Sequence, residues 1–171
     1  MKRICLLFIS ACFFSIGKAG AQDFSVDELV KLRASNLSNF ETAVMAKGYE
    51  IADVSSGYDR YVSFKKDNNI IAFGYVRNAH SQSTDTVVVF RTREISIYKA
   101  LQAQKKENPE HPNITHFISD DSHINHVYID GKVCLHFSSK STYGTRYEVR
   151  VMPDNSEKYF HYSSLNGSID W

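Results

Sequence analysis

The spacing of apolar residues changes at Gly48, and this change limits the fold more than any other feature. Before Gly48, two capping-box sequences begin at Ser25 and Ser38, and each precedes apolar residues spaced for one face of a helix. They predict short helices over 26–34 and 39–47, with Gly48 in a left-handed C-cap. After Gly48, apolar and polar residues alternate, which is typical of strands.

One further helix, predicted over 94–106 and ended by Asn108-Pro109, separates the strand-like segments into two groups. The first group is 49–54, 61–65, 70–77 and 86–92, and the second is 114–118, 124–129, 132–138, 146–152 and 159–162. Short connections within each group favour antiparallel pairing. The sequence therefore predicts an α+β fold: two short N-terminal helices, an antiparallel sheet, a third helix and a second group of antiparallel strands. Two helix-plus-sheet units would account for this order.

The first 21 residues have the three parts of a secretory signal peptide. Lys2 and Arg3 are followed by an apolar stretch to Ile16 and then by small residues ending at Ala21. The alternative is a membrane anchor, but ~13 apolar residues span only ~20 Å as a helix, short of a ~30 Å hydrocarbon core. We therefore expect cleavage after Ala21, export to the periplasm or the medium, and no integral membrane segment in the mature chain.

A second interpretation of the signal concerns Cys12. Ile9-Ser10-Ala11-Cys12 is similar to the sequence before a lipidated cysteine, so Cys12 could become an acylated N-terminus and anchor the protein. Against this, the chain continues apolar through Phe13 and Phe14, where lipoproteins usually become polar. Cleavage at Ala21 is the favoured prediction.

Removal of the signal changes the charge balance and the cysteine count. Loss of Lys2, Arg3 and Lys18 reduces the basic residues from 20 to 17, against 19 acidic ones. A weakly acidic chain lacks the charge expected of a protein that binds nucleic acid or anionic lipid. Cys134 is then the one remaining cysteine, so the fold needs no disulfide, and a packed thiol is expected there.

The mature chain, 22–171, contains no long linker or low-complexity segment, and its length favours one domain. Halves at 22–92 and 93–171 are the alternative that two helix-plus-sheet units would produce. Phe24-Ser-Val-Asp-Glu-Leu-Val30 and the later segment that ends in Lys-Gly-Tyr49 resemble small secreted proteins of Bacteroidota, a family without a characterised activity. The resemblance implies export and the same layout of helices and strands, and it implies no catalytic residue.

Five histidines lie between residues 111 and 136, which suggests a metal site. Zinc takes three or four N, O or S ligands, and the candidates are His116, His123 and Asp120, with Asp121 as an alternative. A two-residue turn at Asp130-Gly131 would pair Ile129 with Lys132 and place His126 and His136 on opposite faces of the sheet. Surface and sheet histidines are therefore the favoured interpretation, and no cofactor is predicted.

Nucleophilic catalysis has weaker support. The chain has no Gly-x-Ser-x-Gly sequence, and Cys134 with His136 are simply neighbours on one face of a strand. Paired acidic residues such as Asp120 and Asp121 are typical of turns.

Tyrosine is the remaining feature that bears on function. The chain has ten tyrosines, and many of them lie in or beside the predicted strands, among them Tyr61, Tyr75, Tyr143, Tyr147, Tyr159 and Tyr162. A tyrosine combines an apolar ring with a hydroxyl, which suits surfaces that bind protein or glycan, although sheets favour tyrosine in any case. The expected function is a non-enzymatic binding module whose partner is a protein or glycan. The alternative is a metal-dependent hydrolase that uses histidines in 111–136.

Overall fold

The computed structural model describes residues 23–56, 60–77, 84–105, 114–120, 123–130, 133–141 and 144–153. Within these ranges, three helices and eight strands form an α+β fold in which all strands belong to one antiparallel sheet. This confirms the predicted fold class and the order of helices and strands.

The helices and strands have the following bounds. The helices are α1 (Val26–Ala34), α2 (Leu37–Ala46) and α3 (Ile95–Ala103). The strands are β1 (Glu50–Ser55), β2 (Arg60–Lys66), β3 (Asn69–Arg77), β4 (Thr84–Thr92), β5 (Ile114–Asp120), β6 (His123–Asp130), β7 (Val133–Lys140) and β8 (Arg146–Pro153). The predicted signal segment 1–21, with Ala21 and Cys12, and the strand predicted over 159–162 lie outside the described residues.

Local hydrogen bonds explain where the first two helices begin and end. Ser25 and Glu28 form the predicted capping box at the start of α1. The predicted cap of α2 is wrong: Asn36, not Ser38, accepts a hydrogen bond from the backbone N–H of Asn39, at 2.9 Å. An Asn side chain caps as well as Ser does, and its position two residues earlier lengthens the helix. Gly48, with φ of +84°, ends α2 as predicted.

The strand order is β1-β2-β3-β4-β8-β7-β6-β5. Each group of four strands is a meander, and the two meanders join where β4 pairs with β8. The middle of the five residue pairs along this seam is Phe90 with Val149. A two-fold axis through that pair would exchange the two halves of the sheet, and it would exchange Arg91 with Arg150.

The helices pack on one face of the sheet, which we call the helix face. Aromatic rings dominate the contact: Phe40 of α2 lies 5.9 Å from Phe64 and 5.0 Å from Phe73, between ring centroids. Tyr98 of α3 lies 5.9 Å from Phe137. Alternate residues of the central strands face this core and are buried: Val62, Phe64, Ile71, Phe73, Val88, Phe90, Leu135, Phe137, Val149 and Val151.

One detail differs from the prediction. The β6–β7 hairpin is shifted by two residues, since Ile129 pairs with Cys134 instead of Lys132. The reason is that Asp130 belongs to the strand ladder, where it pairs with Val133, rather than to the turn.

Candidate binding face of the sheet

Charged residues occupy the centre of the sheet on the face opposite the helices, which we call the charged face. One register row crosses six strands in the order Ser63, Ala72, Val89, Arg150, His136 and Val127. The adjacent row contains Arg91, Glu148 and Ser138 at the β4–β8–β7 seam. None of the three described helices packs on this side, because their buried residues all belong to the helix-face core.

Two arginines hold one glutamate at the middle of the charged face. Arg91 Nε donates to Glu148 Oε2 at 2.5 Å, and Arg150 Nε donates to the other carboxylate oxygen, Oε1. The three side chains are only 10 %, 7 % and 13 % exposed for Arg91, Arg150 and Glu148 respectively. β8 supplies Glu148 and Arg150 two residues apart, so both face the same side, and β4 supplies Arg91 directly opposite Glu148.

The arginines decide the ionisation of Glu148. Burial alone would raise the pKa of this carboxyl, but the two guanidinium groups lower the pKa to about 2. The effect of Arg150 is larger than that of Arg91. Glu148 is therefore a fixed negative charge at neutral pH, and the cluster of these three residues carries a net positive charge because arginine stays protonated.

Further cations continue the charged face toward one end of the sheet. Arg146 of β8 and Lys140 of β7 are register partners in the row that follows Glu148. Both side chains are half-buried. The other described carboxylate on this face of β4, β7 or β8 is Asp85, at the opposite end of β4. Positive charge is thus concentrated where β4 ends and β8 begins.

The other end of the charged face is apolar. Val87, Val127, Cys134 and Met152 form a small buried cluster there. Cys134 is 4 % exposed, as a packed cysteine would be, and His136 two residues later is also 4 % exposed. A reactive cysteine requires partial exposure, so the burial of Cys134 does not favour the nucleophile hypothesis.

The predicted metal ligands occupy separate positions in the β5–β6 ladder. Asp120 is the register partner of His123, whereas His116 is the partner of His126, three residues further along β6. Positions three apart on a strand belong to opposite faces of a sheet, so the register does not bring the three candidates together. Within the described residues, no group of three or more His, Cys, Asp or Glu could hold a metal ion. His111 and Asp121 lie outside those residues.

His126 and His136 lie on opposite faces, as predicted, in spite of the shifted hairpin. Phe137, the register partner of His126, belongs to the helix-face core, while His136 pairs with Val127 on the charged face. A shift of two residues preserves the face of every side chain because the period of a strand is two.

The tyrosines among the described residues lie on both faces of the sheet. Tyr61 lies on the charged face near the sheet edge, where its hydroxyl donates to Asp53 Oδ2 at 2.7 Å. Tyr75 and Tyr147 are on the helix face, where Tyr147 packs against Tyr98 with ring centroids 4.9 Å apart. Tyr143, Tyr159 and Tyr162 lie outside the described residues.

The arginine–glutamate cluster was not among the sequence predictions, although the sequence contains a signal for it. Arg146, Glu148 and Arg150 alternate with apolar residues in one strand, which predicts a strand with one charged face. The missing information is the pairing with Arg91, because that residue is 57 positions from Glu148 in the chain.

Comparison with protein families, with characterised proteins and with solved structures finds no match. None of the described helices is both long enough and apolar enough to cross a membrane.

Proposed function

We propose that the protein is an exported, non-enzymatic binding module of the cell envelope or the extracellular space. Its ligand, a protein or glycan, binds on the charged face. Export is supported by the signal-like segment 1–21, with the positive start, apolar stretch and small residues of such signals.

The observation that carries the proposal is the buried cluster of Arg91, Glu148 and Arg150 at the β4–β8 seam. Burying such charges costs desolvation energy, and well-packed apolar residues in their place are often as stable or more stable. The helix face of the same seam is apolar, with Phe90 opposite Val149. A charged cluster in place of apolar residues at this seam therefore favours recognition over support of the core.

The chemistry of the cluster favours binding over catalysis. Arginine stays protonated at physiological pH, and a carboxylate whose pKa is about 2 is a weak base. General acid–base catalysis requires a group whose pKa lies near the working pH. The cluster provides fixed charges and directed N–H donors, which are the elements of a binding surface.

Site-specific photo-crosslinking tests the proposal. A photoreactive amino acid replaces Ser138, which is half-buried on the charged face, or Lys99, which is exposed on α3. The full chain is expressed in its source cells, and the crosslinked products are analysed by mass spectrometry. We expect a discrete crosslinked species from position 138 and none from position 99. Equal products from both positions, or none from position 138, would contradict the proposed binding face.

A further inference from the structure

We propose that the free edge of β1 binds an extended segment of a partner protein, which joins the sheet as a further strand and in which apolar residues alternate with basic ones. This surface is the edge of the sheet, several strands away from the cluster of Arg91, Glu148 and Arg150. The inference therefore goes beyond the proposed function and does not depend on it.

The edge of β1 is open to solvent. β1 is the end strand of the described sheet, and β2 is the only described strand with which it pairs. Its first five residues are all exposed, and the side chains of Ile51 and Val54 are 59 % and 65 % exposed. An end strand presents a row of backbone N–H and C=O groups that no neighbouring strand satisfies, and an added peptide strand can satisfy them.

A β-bulge gives this edge two apolar side chains on the same face. Ile51 is the register partner of Phe64, and Val54 is the partner of Val62. Both partners belong to the helix-face core, although residues three apart in a regular strand would point to opposite faces. Ala52 is the extra residue that brings Ile51 and Val54 into phase. An added strand with apolar residues on the helix face would cover both.

The other face of the same edge is acidic. Glu50 and Asp53 are the register partners of Lys65 and Ser63, on the charged-face side of β2, and both acidic residues are exposed. Among the described residues, neither carboxylate is in an ion pair, and Asp53 accepts hydrogen bonds from the Tyr61 hydroxyl and the Val54 N–H. Two carboxylates against one lysine leave this face of the edge negative, so basic residues of the added strand complement it.

The same charges disfavour a second copy of the chain as the occupant. Antiparallel pairing of two β1 strands in the register that places Ile51 opposite Val54 would bring the Asp53 carboxylates of the two copies to neighbouring positions. Like charges across a strand pair are destabilising. Bulges and charged residues are also the features by which edge strands avoid indiscriminate pairing. A segment that is apolar on one face and basic on the other satisfies both faces of β1.

The test measures binding of the full mature protein to a fluorescent hexapeptide of alternating lysine and valine. Two control peptides have the same length: one replaces lysine by glutamate, and the other carries N-methyl groups on its two central residues, which removes a backbone donor on each side of the peptide. We expect the lysine–valine peptide alone to bind, and we expect it to slow amide hydrogen exchange in β1.

Variants of exposed residues separate the apolar and charged contributions. I51S/V54S should weaken binding at least tenfold, because it removes both apolar side chains of the edge. E50Q/D53N should weaken it about fivefold, since exposed ion pairs are individually weak. I124S removes an equally exposed apolar side chain from β6 and is the matched control, which should bind as the wild type does.

Four results would overturn the inference: equal binding of the N-methylated peptide, equal binding of the glutamate–valine peptide, binding unchanged in I51S/V54S, or hydrogen exchange in β1 that the peptide does not slow. A dimer of the free protein that I51S/V54S dissociates would also overturn it, because the occupant of the edge would then be a second copy.

Discussion

Lys66 Nζ donates to the Asp23 carboxylate at 2.7 Å and ties the end of β2 to the residue two positions after the predicted cleavage site. The hydroxyl of Tyr49 donates to the other Asp23 oxygen at 3.0 Å, and Lys47 Nζ donates to the Asp23 carbonyl at 2.6 Å. Burial and the Asp23 carboxylate raise the pKa of Tyr49, so its hydroxyl remains a donor over a wide pH range. Next to Asp23, the Phe24 ring packs 5.4 Å from Tyr49. Asp23 and Phe24 are therefore part of the folded core.

The Asp23–Lys66 pair should contribute measurably to stability. D23A and K66A should each lower the free energy of unfolding, and the double variant should lower it by less than the sum of the two. We expect a coupling of about 1 kcal/mol, at the upper end for ion pairs that are partly exposed. Urea denaturation of the four proteins gives the coupling, with K31A on the exposed side of α1 as the control. Strict additivity of D23A and K66A would show that the pair is not coupled.

Gly48 should tolerate asparagine better than alanine. Its φ of +84° is unfavourable for residues with a Cβ. Space is not limiting, because a Cβ added at this position would lie 4.0 Å from its nearest side-chain atom, Lys66 Cε. The cost of G48A is thus backbone strain, about 1 to 2 kcal/mol, and G48N should cost less because asparagine adopts the left-handed conformation more readily. Thermal unfolding would rank the three proteins, and equal losses for the two variants would exclude strain as the cause.

Glu148 should make the protein sensitive to acid. Its pKa in the folded state is lowered to about 2, below that of an unfolded glutamate, so its contribution is complete above the unfolded pKa and is lost as the pH falls toward 2. The difference corresponds to about 3 kcal/mol. E148Q should be less stable than the wild type at neutral pH, and the gap should close as the pH falls from about 4.5 to 2.

Denaturant unfolding at a series of pH values measures that gap. E50Q, at an exposed position of β1, is the control variant, because it removes a carboxylate of the same kind. Where E148Q does not fold, the carboxyl 13C shift of Glu148 in the wild type reports the titration directly. A midpoint above pH 4, or a gap that stays constant to pH 2, is incompatible with the paired carboxylate.

Local patterns were enough to predict most of the fold. The Ser25 capping box, the left-handed Gly48 and the alternation in β2 to β4 are each determined by residues close in sequence, so the elements they predict are observed. The cap of α2 was misassigned because Asn36 and Ser38 both have suitable side chains, and only the geometry distinguishes them.

The central part of the candidate site could not be predicted in the same way. Strand alternation places Glu148 and Arg150 on one face, but it does not say which strand lies beside them. The pairing of β4 with β8 is a long-range contact between the two meanders, and it brings Arg91 to Glu148. For the alternative metal site, clustering of His116 and His123 in sequence does not produce a shared register position in the β5–β6 ladder.

Metal removal should leave the mature protein unchanged. Because the β5–β6 register separates His116 from Asp120 and His123, we expect no stoichiometric divalent ion in native mass spectra and no change in melting temperature with a chelator. Zinc added in slight excess should dissociate on buffer exchange. A retained ion that is lost in H116A or H123A, but kept in H80A, would revive the hydrolase alternative.

The N-terminus of the protein recovered from its source cells should be Gln22. Cleavage after Ala21 leaves Asp23 as the second residue. Lys66 binds the side chain of Asp23 to the folded domain. A peptidase needs an extended segment on both sides of the cut, so the Asp23 network and the buried Phe24 should oppose cleavage once the domain has folded. D23A/K66A should therefore be processed faster than the wild type when the full-length precursor is refolded before exposure to signal peptidase. Intact-mass measurement identifies the end, and pulse–chase labelling gives the rates. A mass that corresponds to an acylated Cys12 would show that the protein is lipid-anchored and is not cleaved after Ala21. Equal processing rates for the two precursors would show that folding of the N-terminus does not slow cleavage.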